Sequence, residues 1–182
     1  MPDEARDQHI VVPLEAADPA IGRALWLFED ARRLTRRTLE GIDPRALDWL
    51  PADADNSIGT LLYHIAIIEA DWLYVEVLEQ EFPPEVVELF TYDVRDATGR
   101  LTPVTGRALD EHYALLDAVR MRLLAAFRSM SIDDFRRVRR MPHYDVTPEW
   151  VLHHLMQDEA EHRGQIGDLR RRAEFALSES PR

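Results

Sequence analysis

His154, Asp158 and His162 recur at steps of four residues, and residues four apart on an α-helix share one face, one turn above another. Histidine and aspartate are both ligands for divalent cations. A pair spaced by four converges on one ion from a single surface. His154 and His162 stand two turns apart, about 12 Å along the axis at 1.5 Å per residue, so one ion reaches two of the three. A further candidate is His64, set among Leu61, Ile68 and Trp72 on an apolar stripe. An imidazole on such a stripe needs a polar partner, because burying it unpaired is costly. That partner is either an oxygen of the core or a metal ion shared with the helix carrying Asp158, since bundles build metal sites from side chains on facing helices.

Other chemistries find little support in the composition. The chain of 182 residues has no cysteine, which removes disulfides, thiolate nucleophiles and cysteine-based zinc sites and makes the cytoplasm the default location. It carries no nucleophilic-serine motif and no glycine-rich phosphate loop. The formal charge of -12 repels phosphate backbones, so no nucleic-acid partner is expected. Arg136, Arg137, Arg139 and Arg140 form a local basic cluster, which reads as a solvated turn or as a holder of an anion. Apolar runs are interrupted by charges short of membrane-spanning length, so no membrane partner is expected either.

Four long amphipathic helices are needed to position these residues. Asp18-Pro19 opens the first with an N-cap acceptor and a proline at the first helical position, and Gly41 closes it. Ile21, Leu25, Phe28, Leu34 and Leu39 form its stripe. Asp43-Pro44 starts a short helix with Leu47, Trp49 and Leu50. Asn56 or Ser57 caps the second long helix, expected to run to about Gln80 before Phe82-Pro83-Pro84. After a long connection the third begins near Thr105 and carries Leu109, Tyr113, Leu116, Val119, Leu123 and Phe127. Ser131 with Asp134 resembles a capping box for a short basic helix, and Thr147-Pro148 opens the fourth long helix, running to about Leu177. The expected architecture is all-α: one four-helix-bundle domain over residues 19–177, between a flexible tail at 1–18 and a short tail at 178–182. The long connection between helices two and three suits parallel neighbours. Gly164, which costs roughly 1 kcal/mol of helix propensity relative to alanine, is expected to admit close approach of another helix.

The segment from Asn56-Ser57-Ile58-Gly59 through His64 to Asp71-Trp72-Leu73 resembles helix two of the DinB/YfiT-like proteins. Trp150 through His162-Arg163-Gly164-Gln165-Ile166 resembles their fourth helix, with its His-Arg-Gly-Gln ending. The resemblance implies a four-helix bundle whose divalent ion, zinc or nickel first and manganese or iron next, is held by three histidines. His64 and His162 match two of them; Asp158 stands at the third. Asp158 then reads as a ligand, as an acceptor orienting a histidine, or as the relic of a lost site. Two histidines and a carboxylate form a known open ligand set. His154, Arg163, Gln165, Trp72 and Tyr63 are candidates for the surrounding pocket.

The resemblance further implies a thiol S-transferase using a low-molecular-weight thiol of the bacillithiol or mycothiol kind and a small electrophile. Catalysis would then lie with the bound ion and no side-chain nucleophile. A metal-dependent hydrolase would use the same residues. A non-catalytic stress-response bundle with a degenerate site is the alternative that Asp158 raises. A homodimer is the expected assembly.

Overall fold

The computed structural model describes residues 9–179. Its long helices are α1 (Pro19–Leu39), α2 (Ile58–Asp71), α4 (Leu109–Ser129) and α6 (Pro148–Glu179). A 3-10 turn at Pro44–Ala46, the short helices α3 (Pro84–Val87) and α5 (Ile132–Arg136), and a two-residue hairpin of β1 (Arg139–Arg140) and β2 (Asp145–Val146) fill the connections. The start signals act through their side chains. Asp18 Oδ1 accepts from Ala20 N at 2.7 Å, Ser57 Oγ from Thr60 N at 3.2 Å, Ser131 Oγ from Asp134 N at 3.2 Å and Thr147 Oγ1 from Trp150 N at 3.2 Å, each satisfying an otherwise orphaned helix donor.

Parallel pairing explains the long connection. Gly59 near the start of α2 lies against His112 near the start of α4, and Glu69 pairs with Arg120 about two to three turns further along both. Arg32 and Thr38 of α1 likewise meet Glu159 and Arg170 of α6. The chain must travel the length of the bundle between α2 and α4, and residues 78–108 do so. Helix α4 starts at Leu109, later than the sequence suggests, because Pro103 and a positive-φ Gly106 precede it and the Glu111 carboxylate caps Ala108 N at 2.7 Å. The segment after Asp43-Pro44 makes only the one 3-10 turn, although Leu47 is buried as its apolar character requires.

Helix α2 is the core element. Ile58, Leu61, Leu62, Ile65, Ala66 and Ala70 are all nearly inaccessible, and Ile58–Val77 is long and apolar enough to cross a membrane, yet it is 72% buried within the bundle. Beyond Asp71 the helix widens into a π turn over Trp72–Val77, closed by Leu78 N donating to Leu73 O at 2.9 Å. Such widened turns re-aim side chains and often occur at functional sites.

Inside the bundle, Arg32, Arg120, Glu69 and Glu159 form a closed ion cluster from all four long helices. Arg32 donates to Glu159 at 2.7 Å and to Glu69 at 2.9 Å; Arg120 donates to Glu69 at 2.8 and 2.9 Å and to Glu159 at 3.0 Å. Glu159 is thus salt-bridged and fully enclosed. Of the expected N-terminal tail, residues 1–8 lie outside the described residues. Non-helical residues 13–17 are tied down by Leu14 N to Gly22 O at 3.0 Å and Ala17 N to Arg128 O at 2.8 Å. Gly22 is required there, because a Cβ would fall 2.2 Å from the Leu14 carbonyl oxygen.

The basic cluster is mostly consumed structurally. Arg139 is buried, with its guanidinium donating to the Val77, Asp134 and Arg137 carbonyls and to the Asp134 carboxylate. Arg137 pairs with Asp134 and Glu79.

Candidate metal centre

Helices α2 and α6 run antiparallel across the bundle, and their shared face carries the metal-ligand candidates. His64 comes from the middle of α2; Asp158 and His162 come from successive turns of α6. One potential ligand atom from each lies within 4.8 Å of the others. His162 Nε2 stands 3.5 Å from Asp158 Oδ1, and the His64 and His162 rings meet edge to face at 4.9 Å.

This set fits a divalent ion. Bonds of about 2.0–2.2 Å in a tetrahedral site put donors roughly 3.4 Å apart, a small side-chain adjustment from what is seen. His64 Nδ1 is buried without a hydrogen-bond partner among the described residues, the orphaned polar atom that a buried imidazole leaves when its partner is an ion. Gln165 Oε1 lies 3.2 Å from His162 Nδ1. That contact keeps Nε2, the nitrogen that would meet an ion once its proton leaves, directed at Asp158, which is how an outer residue orients a ligating histidine.

The charges of two of the three residues suit ligation. Burial, reinforced by the His162 charge, pulls the His64 pKa down to about 4 against the pull of Asp158, so this imidazole is neutral near pH 7. Burial works to raise Asp158, but its hydrogen bond to His162 and the neighbouring imidazoles outweigh that and hold the carboxylate below its usual range. Burial pulls His162 down; the Asp158 hydrogen bond and charge override it, leaving the pKa raised. A neutral His64 and an ionised Asp158 are the states a metal requires, and an arriving ion must displace the proton that Asp158 favours on His162.

Candidates around the site divide by helical position. His154, one turn before Asp158, stacks on Trp150 at 4.9 Å and packs against Trp72 at 4.6 Å. Trp72 itself lies two turns beyond His64 on the same α2 face. Tyr63 and Arg163 turn their polar groups to other partners. Each is one residue, about 100° around its helix, from a ligand candidate. The Tyr63 hydroxyl is engaged by Tyr92, accepting from its N–H and donating to its carbonyl, both at 2.9 Å; Arg163 Nη1 reaches back to Ala31 O at 3.4 Å.

Gly164 also departs from expectation: a Cβ there would meet nothing within 4 Å. It borders a polar groove of about 590 Å³ with Asp55, Asn56, Leu61, Glu161, Gln165 and Arg172 among its lining. Arg95, brought over by the long connection, exerts its charge on His64; nothing in its spacing marks it. His112 was also missed. It is 1% exposed, both ring nitrogens lack partners among the described residues, and burial pulls its pKa to about 4.

A helical bundle with a two-histidine, one-carboxylate cluster between facing helices defines a class of candidate metalloproteins. The model of the DinB superfamily matches residues 27–166, and the chain belongs to that superfamily. Among solved structures, a conserved protein from Enterococcus faecalis superposes with a TM-score of 0.63 at 18% identity, over 81% of this chain and 93% of that one, a likeness of fold. No protein of curated function matches the sequence significantly.

Proposed function

We propose that this protein is a divalent-metal-dependent enzyme that transfers a low-molecular-weight thiol to a small electrophile, with zinc or nickel held by His64, Asp158 and His162. The observation that carries this reading is the convergence of one ligand atom from each of those three side chains within 4.8 Å, with a buried His64 nitrogen that has no partner among the described residues. When bound, such an ion supplies Lewis acidity that lowers the pKa of a coordinated thiol or water. The chain's own residues do the rest. Gln165 orients the His162 ring, and the polar groove beside Gly164 offers Asn56, Gln165 and Arg172 to a hydrophilic thiol. Sulfur attacks the electrophilic carbon, the leaving group departs with the bonding pair, and the thiol proton passes to solvent.

Incubation of the zinc- or nickel-loaded protein with a sugar-linked cysteine thiol and a halogenated or epoxide electrophile tests this by mass spectrometry. The proposal expects a thioether product that requires His64. Hydrolysed electrophile formed without thiol would instead establish the hydrolase, and no turnover with any metal would favour the non-catalytic bundle. A homodimer of cytoplasmic location is part of the same proposal; light scattering tests the assembly.

A further inference from the structure

A second cavity opens on the α2–α6 side, about two helical turns from the ligand candidates. It holds about 450 Å³, within the range of small-molecule sites, and is lined by Trp72, Tyr144 and Trp150 with Val138, Asp145, Val146 and Thr147. The Trp72 ring lies 5.5 Å from Trp150 at 51° and 6.2 Å from Tyr144 at 43°, so the three rings form inclined walls. Trp150 and Tyr144 keep 46% and 45% of their surface exposed.

Acidic side chains stand beside these walls. Glu76, 5% exposed, accepts from the Tyr144 hydroxyl at 2.6 Å through Oε1, while its Oε2 is buried with no partner among the described residues. The Asp71 carboxyl, next to Trp72, has no hydrogen-bond or ion-pair partner among the described residues, and both carboxylates act on the Tyr144 hydroxyl. Asp145 stands on the lining. Arg139 and Arg137 are committed to Asp134 and Glu79 and Arg136 to Glu149, while Arg140 is the cross-strand neighbour of Asp145, which leaves Glu76 and Asp71 as the carboxylates without a countercharge among the described residues. Burial pushes the carboxyls of Asp71 and Glu76 upward, as it does for anions lacking a countercharge.

Aromatic faces and unpaired carboxylates attract the same partner, a weakly hydrated cation. An ammonium bearing alkyl groups satisfies both, because its methyl groups suit the apolar walls while its charge meets the ring faces and the carboxylates. We propose that the Trp72–Tyr144–Trp150 pocket is a binding site for a small molecule carrying an alkylated ammonium group. Trp72 and Glu76, four residues apart in the π turn over Trp72–Val77, both reach Tyr144. This site stands independently of the metal centre.

The test uses the full chain, treated with chelator, titrated with choline at constant ionic strength and followed by tryptophan fluorescence and calorimetry. The neutral isostere 3,3-dimethylbutan-1-ol serves as the control for apolar binding. Saturable choline binding is expected, at least tenfold tighter than the isostere, weakened at least tenfold in Trp150→Leu and severalfold in Glu76→Gln, with helical circular dichroism unchanged. Trp150 is half exposed, so its replacement leaves the core intact. No saturable choline binding, equal binding of the isostere, or affinity unchanged in Trp150→Leu would each overturn the proposal.

Discussion

Replacing Glu69 with glutamine removes one charge from the centre of the buried cluster while keeping its volume. Glu69 accepts three hydrogen bonds of 2.8–2.9 Å, two from Arg120 and one from Arg32. The three residues are only 2–4% exposed. In the variant, two buried guanidiniums face Glu159 alone, with Glu29 reaching Arg120 from the half-exposed edge. Removing one partner of a buried pair costs about 3–5 kcal/mol, because the remaining charge stays desolvated; an exposed pair contributes about 1 kcal/mol or less. A chain of this size loses about 2–4 °C in Tm per kcal/mol, so the expected fall is roughly 6–20 °C. Thermal and urea unfolding read it directly, with Asp53→Asn, which breaks the exposed pair to Arg172, as the comparison. A Glu69→Gln loss below about 1 kcal/mol would refute the view that this cluster holds the four helices in register.

His112 contributes a pH dependence of defined sign. Its folded pKa of about 4 lies below the ordinary value near 6.5. The unfolded chain therefore protonates first, and the stability it contributes, roughly 3 kcal/mol, is full above about pH 6.5 and lost as pH falls toward 4. Urea midpoints of His112→Gln should fall less than those of the native chain between pH 7 and 4.5; parallel curves would contradict this. Gly164→Ala should raise stability by about 0.5–1 kcal/mol, since the added Cβ meets nothing; thermal melting that shows a loss would mean the groove is closed. Gly22→Ala should cost more than 1 kcal/mol, because its Cβ would fall 2.2 Å from a backbone oxygen; urea unfolding with an unchanged midpoint would show that residues 13–17 yield freely.

The spacing of apolar residues and the side-chain caps made the helices legible, because both signals are local: Asp18, Ser57, Ser131 and Thr147 each cap the helix that follows. His64, Asp158 and His162 were legible because a step of four and an apolar stripe each mark a helix face. What stayed hidden depends on long-range packing. The π turn over Trp72–Val77 has no periodic signature. Glu69 and Glu159 read as ordinary helix acids until two arginines from other helices reach them, and Arg139 sits in a basic run that looks solvated until the hairpin turns it inward. Gly164 shows the converse: its low helix propensity suggested packing, whereas it lines an open groove.

The most direct test of the central claim is metal content by inductively coupled plasma mass spectrometry on protein purified without chelators, alongside His162→Ala. Near-stoichiometric zinc, nickel, manganese or iron in the native protein, lost in a folded His162→Ala, is the predicted result. Metal-free native protein that also takes up no added divalent ion would contradict it.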